Sequence, residues 1–469
     1  MIEYKNIYFI GIGGIGMSAI ARMLREQGAT VSGSDASESD VTRGLQESGI
    51  HVNIGQNAEN LSAGNLAMAG HHDGIDCVVY TTAIPDSNPE LSEARLRGLP
   101  TFTYAEMLGK ISANFETIAV AGTHGKTTTT AMLASAFSGA NLKPHVIVGS
   151  LLPEYKSNYL KGGVVDEGGN ILITEACEYK RSFLNLNPKH VVITNIEEDH
   201  LDYYSDLADI QSAFIDLCAK TPKDGKIICN PDLPNLAPIV EKFPDKIVDY
   251  KKLLSKVPEL KVLGEHNKLN AAATLALMSV FEEVGKNREN SADAQILDGA
   301  ITGLEKFSGT WRRLEARGET EKGAILYDDY AHHPEEIRAG INALHQNFQD
   351  KKLVIFFQPH LYSRTKKLFD EFVEVFLEKN PVGESKITPV SELYLLPIYA
   401  AREPADSEIS SEILAQKITE QNLSENSKMK VEFLPSFEKA AEIALEKDDQ
   451  CVVVTMGAGD VYKILDLVK

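Results

Sequence analysis

The sequence predicts an α/β fold of three domains, each built on a mostly parallel sheet. Short apolar runs alternate with helical patterns along all 469 residues. Most of these runs are apolar at every position, as in strands buried on both faces of a parallel sheet. Three of them end in a glycine-marked turn before a helix, which is the strand-to-helix connection of α/β proteins. A chain of this length also accommodates about three domains of roughly 100–200 residues.

Seven apolar runs are predicted as strands, and the domain boundaries fall between groups of them. In chain order the runs are Asn6–Ile10, Cys77–Thr81, Thr117–Ala121, Ile171–Thr174, His190–Asn195, Leu353–Phe357 and Cys451–Met456. Boundaries are expected near Pro100–Glu106 and near Gly303–Gly309, the second after a helical run at Leu269–Phe281. The predicted domains are an N-terminal Rossmann-like domain (1–104), a central P-loop-type ATPase domain with a mostly parallel sheet (105–306) and a C-terminal Rossmann-like domain (307–469).

The charge balance narrows the classes of partner. Lys and Arg number 47 against 67 Asp and Glu, which gives a formal net charge of −20. Nucleic acid and anionic membranes are polyanions, so we expect neither as a non-specific partner. No apolar run approaches the ~18–20 residues that span a bilayer, so we expect no membrane insertion. An anionic ligand therefore needs a local site that works against the overall field.

Cysteine usage indicates a reducing compartment. The five cysteines are widely spaced and form no Cys-x-x-Cys pair. An odd, scattered set argues against a disulfide framework and against structural zinc. The N-terminus has no signal-peptide organisation. We therefore expect reduced thiols in a cytoplasmic protein.

The first glycine turn predicts a site for a nucleotide diphosphate. Gly11, Gly13, Gly14 and Gly16 follow the first strand and open a helix, and a second strand ends at Asp35. Without Cβ atoms, backbone N–H groups can approach a diphosphate at the helix N-terminus. Asp35 is placed to accept a hydrogen bond from a ribose hydroxyl. The pattern fits NAD, FAD and a UDP-sugar alike, and the alternative is a tight turn that only packs the helix on the strand.

The second glycine turn has the composition of an ATP loop. After a predicted strand it contains, in order, Gly122, Thr123, His124, Gly125, Lys126, Thr127 and Thr128. The strict P-loop has one more glycine, at the position of Val120, so this loop is a variant. Its N–H groups can cradle phosphates, Lys126 can neutralise β- and γ-oxygens, and Thr127 can hold Mg²⁺. A diphosphate turn followed by an ATP loop favours a kinase or a ligase over a plain dehydrogenase.

Polar side chains follow the next two predicted strands. Glu175 and His200 stand at the carboxyl ends of these strands, where α/β sheets bind ligands. Both could approach a Mg²⁺ or Mn²⁺ ion near Lys126, although each is equally typical of a cap or a loop hydrogen bond. Asn270, near the start of the next predicted helix, could read an adenine edge or simply cap that helix.

The last third of the chain concentrates cations and carboxylates. Arg313 follows the only tryptophan of the chain, and Asp329 and Arg364 come after apolar strands. An arginine can grip a carboxylate or a γ-phosphate through two parallel hydrogen bonds. The adjacent histidines at 332–333 point apart, which favours substrate contact or capping over metal chelation. The turn at 457–459 is expected only to close the sheet.

Together these segments resemble the Mur ligases of peptidoglycan synthesis, from about Tyr4 to Lys463. The run Gly-Thr-His-Gly-Lys-Thr-Thr-Thr-Thr at 122–130 looks like the ATP loop of the family. Further landmarks in the family's order are Glu175, Asn195, Asp199-His200, His266-Asn267, Asn270, Arg313 and Asp329. Within the family, the segments 11–18, 329–334 and 357–365 are most similar to those of members that use L-alanine.

The resemblance implies three domains that bind a UDP-sugar, ATP and an amino acid. It implies that the carboxylate of UDP-N-acetylmuramate attacks the γ-phosphate of ATP, and that the amine of L-alanine then displaces phosphate from the acyl phosphate. By resemblance, Lys126, Mg²⁺ (or Mn²⁺) and Arg313 stabilise the transferring phosphoryl group. Thr127, Glu175 and His200 would arrange the metal.

The resemblance also implies the remaining contacts. Residues 122–128 with Arg313 would bind the ATP phosphates, and Asn270 and Asp329 would hold adenine and ribose. The first glycine turn with Asp35 would bind the UDP-sugar. The residues expected at the amino acid are Tyr330, His332, His360 and Arg364. Leu361 stands where some members have a second arginine, so Arg364 is expected to hold the carboxylate alone.

Two alternatives stay open at this point. One is a ligase of the same family that recycles murein tripeptide, which needs a wider amino-acid pocket. The other is an NAD-binding oxidoreductase or regulator built on the first glycine turn, with a vestigial second loop. The sequence is compatible with a monomer and with a homodimer.

Overall fold

The computed structural model describes residues 3–72, 74–152, 157–163, 170–200, 203–286, 295–378, 389–401, 403–424 and 428–468. The strands are β1 (Asn6–Ile10), β2 (Thr30–Asp35), β3 (His51–Ile54), β4 (Cys77–Tyr80), β5 (Thr101–Thr103), β6 (Glu116–Ala121), β7 (His145–Leu152), β8 (Ser157–Leu160), β9 (Ile171–Glu175), β10 (Pro188–Ile193), β11 (Ile227–Cys229), β12 (Ile247–Asp249), β13 (Glu315–Glu319), β14 (Ile325–Asp329), β15 (Lys352–Phe357), β16 (Val390–Leu395), β17 (Lys430–Phe433) and β18 (Cys451–Met456). The helices are α1 (Ile15–Glu26), α2 (Asp40–Glu47), α3 (Ala63–Met68), α4 (Pro89–Leu96), α5 (Tyr104–Ser112), α6 (Lys126–Gly139), α7 (Leu207–Ala219), α8 (Ala237–Lys242), α9 (Glu265–Lys286), α10 (Ile296–Lys306), α11 (Pro334–Asn347), α12 (Tyr362–Lys367), α13 (Phe369–Leu377), α14 (Ser411–Ser424), α15 (Phe437–Leu445) and α16 (Lys463–Leu467).

The described strands form three sheets. Their orders are β3-β2-β1-β4-β5, β12-β11-β10-β6-β9-β7-β8 and β13-β14-β18-β15-β16-β17. Among the described strands only β7–β8 and β13–β14 pair antiparallel, each at one edge of its sheet. The order of the first sheet is that of a Rossmann-like half, with β1 beside the crossover point. The predicted α/β fold with three mostly parallel sheets is confirmed.

The central strands are buried on both faces, as their continuous apolar sequence predicts. In β15, Leu353, Ile355 and Phe357 face one apolar cluster of the third sheet. The residues between them, Val354 and Phe356, face a second cluster on the other side. Helices therefore cover both faces, and the ligand-binding edge is left to the loops at the carboxyl ends of the strands.

The predicted strands match the observed ones to within two residues, and the largest shift has a structural reason. The run predicted as His190–Asn195 is the strand Pro188–Ile193. Thr194 N still donates to Ala121 O at 3.1 Å, but Asn195 O accepts from Thr123 N at 3.2 Å instead of continuing the ladder. The end of this strand is therefore used to hold the second glycine turn.

The helical run predicted at Leu269–Phe281 is part of a longer helix, α9, which begins at Glu265. A further helix, α10, lies before the predicted second boundary and packs closely on α6. A Cβ on Gly303 would lie 2.1 Å from Ser135 O, and one on Gly139 would lie 2.2 Å from Gly299 O. Glycines thus bring the two helix backbones together behind the second glycine turn.

The chain divides into two compact units. Unit 1 contains residues 1–260 and 268–307, and unit 2 contains residues 261–267 and 308–469. The first two sheets belong to unit 1 and the third sheet belongs to unit 2. The domain limits 1–104, 105–306 and 307–469 stay a prediction. Within the described part of the chain, no helix has the length and apolar character to cross a membrane.

Candidate active site

The second glycine turn links β6 to α6 and has the geometry of a phosphate loop. Gly122 and Gly125 have φ angles of +134° and +82°, which side chains with a Cβ rarely adopt. Gly125 caps α6, so Lys126 is the first residue of that helix. The N–H groups of the first helical turn have no intrahelical acceptor and point toward any anion bound there.

The turn is anchored to the end of β10 by a set of short bonds. His124 N donates to Asn195 Oδ1 at 2.9 Å, and Thr194 Oγ1 donates to His124 O at 2.5 Å. Thr123 Oγ1 accepts from Glu197 N at 2.8 Å. The ring Nε2 of His124 lies 3.2 Å from Glu197 Oε2. These bonds hold the loop in shape, so its N–H groups are oriented before a ligand arrives.

Lys126 is fixed by a buried carboxylate that sequence reasoning did not select. Its Nζ donates to Gly122 O at 2.5 Å and to Thr123 O at 3.0 Å. The same nitrogen lies 3.0 Å from each carboxylate oxygen of Glu178, whose side chain is 3% exposed. Burial by itself lowers the pKa of Lys126, but the charge of Glu178 and the bond to it raise the pKa above the ordinary lysine value. Lys126 is therefore cationic and aimed at the loop.

The conformation of the backbone after Glu178 accompanies the burial of its carboxylate. Lys180 and Arg181 adopt left-handed conformations with φ angles of +51° and +54°. This sharp turn follows Glu178, whose carbonyl accepts from Tyr204 Oη at 2.5 Å. The sequence signal was limited to a second acidic residue three positions after Glu175, which does not specify burial.

Thr127 and Glu175, two of the three predicted metal ligands, are in contact. Thr127 Oγ1 donates to Glu175 Oε2 at 3.0 Å, and Glu175 Oε1 accepts from Gly149 N at 2.5 Å. A Cβ on Gly149 would lie 2.7 Å from the same carboxylate, so the glycine allows this close approach. The pair stands at the start of α6, on the side of the loop where phosphates would bind.

The third predicted ligand, His200, lies beside two other carboxylates. Its Nε2 is 3.7 Å from Glu178 Oε1 and 3.6 Å from Asp199 Oδ2, and the ligand atoms of the three residues all lie within 4.8 Å of one another. His200 has a φ of +54° and packs its ring 4.7 Å from that of Tyr179. Carboxylate oxygens with one imidazole suit Mg²⁺ through the oxygens and Mn²⁺ through both donor types. The residues present therefore fit a divalent cation.

Asn270 lies beside the loop and does not cap α9. It stands in the second turn of that helix and is 6% exposed. A Cβ on Gly125 would lie 2.8 Å from Asn270 Oδ1. The amide thus lies next to the second glycine turn, and its expected adenine contact stays a prediction.

The first glycine turn, which follows β1, is held by hydrogen bonds to the end of the neighbouring strand β2. Gly11 N and Ile12 N both donate to Ser34 O, at 2.8 and 2.9 Å. Gly13 N donates to Asp35 Oδ2 at 2.8 Å. Asp35 therefore shapes the turn, while its expected ribose contact stays a prediction. The N–H groups available to a diphosphate are those of the first turn of α1, after Gly14.

A cavity of about 340 Å³ lies beside the first glycine turn inside unit 1. Residues 14–17 of that turn line it, and so does Glu175, whose carboxylate accepts a hydrogen bond from Thr127 at the start of α6. Tyr104 and Phe183 are among the rings in its wall. A Cβ on Gly16 would lie 2.6 Å from the Tyr104 ring, so this glycine keeps the wall open. The cavity therefore extends from the start of α1 to the carboxylate that Thr127 contacts.

In unit 2, Arg313 and Asp329 lie in one charged group. Arg313 Nη1 is 3.5 Å from Glu336 Oε1, and its guanidinium carbon is 5.2 Å from the ring centre of Tyr330. The pKa of Asp329 is raised to about 7, mainly by burial and also by the carboxylates of Glu336 and Asp328, while the charge of Arg313 acts in the opposite direction. The predicted ribose-binding carboxylate therefore titrates near neutral pH.

The residues predicted to contact the amino acid come together around His360. Its ring is 5.7 Å from that of His332 and is stacked at 5.7 Å on that of Tyr399. Arg364 Nη1 lies 3.2 Å from His360 Nδ1, and Tyr330 packs edge-on against His332 at 5.5 Å. Burial and the charge of Arg364 lower the pKa of His332, although Glu336 acts in the opposite direction. Tyr399 is the member of this group that the sequence did not indicate.

The two adjacent histidines have separate environments, as expected. His333 Nδ1 accepts from Glu335 N at 3.3 Å and so caps α11, whereas His332 packs against the rings described above. The turn at 457–459 does more than close the sheet, because its carbonyls accept hydrogen bonds from Arg312.

Comparison with known proteins identifies one family over the whole chain. The family models for the Mur ligase catalytic domain, the Mur ligase middle domain and the Mur ligase glutamate ligase domain match residues 6–116, 120–256 and 312–459. The UDP-N-acetylmuramate–L-alanine ligase of Agathobacter rectalis is 37% identical over 98% of this chain and 96% of its own length. That of Clostridium kluyveri is 38% identical over 99% of this chain and 98% of its own length.

Two solved structures have the same fold. The UDP-N-acetylmuramate–alanine ligase of Thermotoga maritima has a TM-score of 0.74 and 25% identity, covering 99% of this chain and 98% of that one. A murein peptide ligase of Psychrobacter arcticus has a TM-score of 0.62 and 21% identity, covering 98% of this chain and 97% of that one. The second likeness concerns the fold alone.

Proposed function

Because the chain belongs to the Mur ligase family, we infer that it is an ATP-dependent ligase that joins L-alanine to the carboxylate of UDP-N-acetylmuramate. The reaction belongs to the synthesis of peptidoglycan precursors. Relatives at 35–38% identity over nearly the full chain are named as ligases of this kind. The murein peptide ligases are similar in fold at lower identity.

The observation that carries the proposal is the cavity beside the first glycine turn, because Glu175 in its wall is bonded to Thr127 of the second turn. A UDP-sugar bound at residues 14–17 would direct its muramoyl carboxylate along the cavity toward Glu175 and Thr127. The γ-phosphate of ATP on the second glycine turn would lie at the same end. A dinucleotide-dependent oxidoreductase does not require an ATP loop, so the second glycine turn favours the ligase.

In the proposed reaction, a carboxylate oxygen of the muramate attacks the γ-phosphorus of ATP. The bond between that phosphorus and the oxygen that bridges it to the β-phosphorus breaks, and ADP is released. The amine of L-alanine then attacks the acyl phosphate, loses a proton and expels inorganic phosphate. Lys126, with residues 122–128, and Arg313 neutralise charge on the transferring phosphoryl group. Asn270 and Asp329 bind the adenosine.

Thr127, Glu175 and His200 would hold Mg²⁺ or Mn²⁺, with Glu178 and Asp199 as further oxygen donors beside His200. Such an ion would supply positive charge to the phosphoryl oxygens. Tyr330, His332, His360 and Arg364 would contact the amino acid, with the guanidinium on its carboxylate.

An ADP-release assay tests the proposal. ATP, Mg²⁺ and UDP-N-acetylmuramate are supplied with L-alanine, glycine, L-serine or L-alanyl-γ-D-glutamyl-diaminopimelate, and each component is omitted in turn. We expect ADP only when ATP, the UDP-sugar and L-alanine are all present. The second product should then be UDP-N-acetylmuramoyl-L-alanine. Preference for the tripeptide would assign the recycling reaction, and ADP release that ignores the UDP-sugar would refute the ligase.

We place this reaction in the cytoplasm, with the chain acting as a monomer or homodimer. All five cysteines lie in the described part of the chain and are free thiols, as a reducing compartment requires. Light scattering of the purified chain distinguishes the two oligomeric states.

A further inference from the structure

Arg312 is a buried cation at the centre of the third sheet's ligand-binding edge, with 2% of its surface exposed. Its Nε donates to Asp328 Oδ2 at 2.8 Å, its Nη1 to Gly459 O at 2.8 Å and its Nη2 to Gly457 O at 2.5 Å. Asp328 is fully buried and also accepts from Thr455 Oγ1 at 2.6 Å. One guanidinium therefore ties the ends of β14 and β18 to the segment before β13.

The backbone around Arg312 is held as firmly as its side chain. Arg312 N donates to Glu315 Oε2 at 3.0 Å, and Arg312 O accepts from Tyr330 N at 2.7 Å. Arg312 and Leu314 have φ angles of +58° and +43°. A left-handed conformation costs a residue with a Cβ about 1–2 kcal/mol. Arg313 stands between these two residues, so the contacts of its neighbour determine where its side chain is directed.

The two arginines share an aromatic partner. The guanidinium carbon of Arg312 is 5.1 Å from the ring centre of Tyr330 and 4.6 Å from that of Tyr462. The guanidinium carbon of Arg313 is 5.2 Å from the same Tyr330 ring. Tyr330 is thus fixed by Arg312 through its backbone and its ring, and offers its ring to Arg313.

We propose that Arg312 is a positioning residue of the ligase reaction: without contacting a substrate, it fixes Arg313, partly through the shared Tyr330 ring, in the orientation that the transferring phosphoryl group requires. The inference rests on the proposed function, in which Arg313 contacts that phosphoryl group. Lysine is not an equivalent of Arg312, because a single ammonium cannot reproduce a planar fork directed at one carboxylate and two carbonyls.

The main test is Arg312→Lys in the full chain, with Arg338→Lys as the matched control. Arg338 lies on α11 and pairs with Glu335 and Glu378 near the surface. A displacement of about 1 Å at a reacting group costs on the order of 10²-fold in rate. We expect Arg312→Lys to lower kcat by about 10²-fold and to leave the KM for UDP-N-acetylmuramate within about twofold. The control should behave as the wild type.

A double-mutant cycle separates positioning from a structural role. If Arg312 acts through Arg313, Arg312→Lys combined with Arg313→Ala should be within about twofold of Arg313→Ala alone. If the two substitutions acted independently, their fold-losses in kcat would multiply, and that result would overturn the proposal. An unchanged kcat in a folded Arg312→Lys variant would overturn it as well. A wild type that releases no ADP with any substrate would contradict the proposed function and not this inference.

A milder variant keeps the test decisive if Arg312→Lys does not fold. Thr455→Val removes only the hydroxyl donor to Asp328 and conserves the shape of the side chain. We expect kcat to fall by about threefold to tenfold, which corresponds to the loss of about one hydrogen bond. In combination with Arg313→Ala, the variant should lower kcat no further than Arg313→Ala alone does. Wild-type kcat in this variant, or a multiplicative cycle, would show that the network does not act through Arg313.

Discussion

Lys126 combines two tasks, since it carries the charge of the ATP loop and also holds that loop together. Removing it takes a cation from the transferring phosphoryl group and breaks bonds to two loop carbonyls. We expect Lys126→Ala to lower the ligation rate by about 10²–10³-fold. Lys189→Ala is the control, because Lys189 lies in the same unit and forms an ion pair with the exposed Asp224.

The buried Glu178 complicates this experiment, and a second background resolves it. Lys126→Ala leaves the Glu178 carboxylate without its cation, which is destabilising in a buried site. In a Glu178→Gln background this charge is absent, so the effect of Lys126→Ala on melting temperature should shrink while the loss of activity remains. Near-normal turnover of a folded Lys126→Ala variant would remove the residue from the phosphate site.

Asp329 predicts a pH dependence of stability. Burial raises the pKa of this carboxyl to about 7 in the folded chain, against about 3.9 in the unfolded chain. Between these values the folded state binds more protons, so the free energy of unfolding falls as pH rises from about 4 to 7. Asp329→Asn removes this ionisation, so the contribution of this residue to the fall in unfolding free energy with pH should disappear. At pH 8 the free energy of unfolding of the variant should exceed that of the wild type by roughly 2–4 kcal/mol.

Trp311, the only tryptophan, lies in unit 2 with Asp329, so its fluorescence during urea unfolding measures the relevant unit. The exposed Asp350 provides the control Asp350→Asn. Parallel stability profiles for the wild type and Asp329→Asn between pH 4.5 and 8 would contradict the prediction.

Sequence reasoning found the residue types of the site but not all of their partners. Lys126, Glu175, His200 and Arg364 follow strands or glycine turns, whose positions an apolar pattern reveals. Glu178 is brought to Lys126 by two left-handed residues, and no pattern in the sequence specifies such a turn. The stacking of Tyr399 on His360 depends on a contact across 39 positions, which a single sequence does not encode locally.

At the scale of elements, the first glycine turn predicts a nucleotide preference. A Cβ on Gly13 would lie 2.8 Å from Asp35 Oδ2 and 2.8 Å from Thr42 Cγ2, so Gly13→Ala must displace the turn. We expect calorimetric titration to show binding of UDP-N-acetylmuramate and none of NAD. Gly13→Ala should weaken that binding by about tenfold or more, since overpacking costs about 1–3 kcal/mol.

Gly64→Ala is the control for this substitution, because Gly64 lies in α3 with no atom within 4 Å of a Cβ placed on it. Its alanine variant should bind as the wild type does. Tight binding of NAD without any response to the UDP-sugar would overturn the uridine-nucleotide assignment and favour an oxidoreductase or regulator.

The elements themselves were largely predictable, because a strand buried on both faces is apolar at every position. The runs at 6–10 and 451–456 match β1 and β18 without change. The contact of α1 with β8 was not predictable. Asn158 Nδ2 donates to Ile15 O at 2.5 Å and to Ser18 Oγ at 2.8 Å. Apolar residues of both elements, such as Met17 of α1 and Tyr159 of β8, also belong to one buried cluster. Their apolar character predicts burial, but it does not predict that these two elements pack on each other.

At the scale of the whole molecule, a net charge of −20 opposes the binding of ATP and the UDP-sugar, which carry phosphates. L-alanine is a zwitterion, but its carboxylate also needs a cation nearby. The cations that bind them must therefore act at short range in partly desolvated positions, where attraction exceeds the repulsion of the whole chain. Lys126 and Arg313 satisfy this condition, with side chains 17% and 31% exposed.

This reasoning gives a prediction for Arg364 in which the global field is held constant. Arg364 and Lys366 lie on the same short helix, α12, and Lys366 pairs with Asp406 and Glu408 at the surface. Arg364→Ala and Lys366→Ala change the net charge equally, so they differ only in the local cation. Leu361 stands in place of a second arginine. We therefore expect Arg364→Ala to raise the KM for L-alanine by a factor that corresponds to a loss of about 2–5 kcal/mol in binding free energy. Lys366→Ala should change it by less than about 1 kcal/mol.

Kinetics that vary one substrate at a time should show the KM for ATP and for UDP-N-acetylmuramate unchanged in both variants. An equal loss for all three substrates in Arg364→Ala, or an equal loss for L-alanine in both variants, would show that the arginine acts through the overall charge and not as the carboxylate-binding residue.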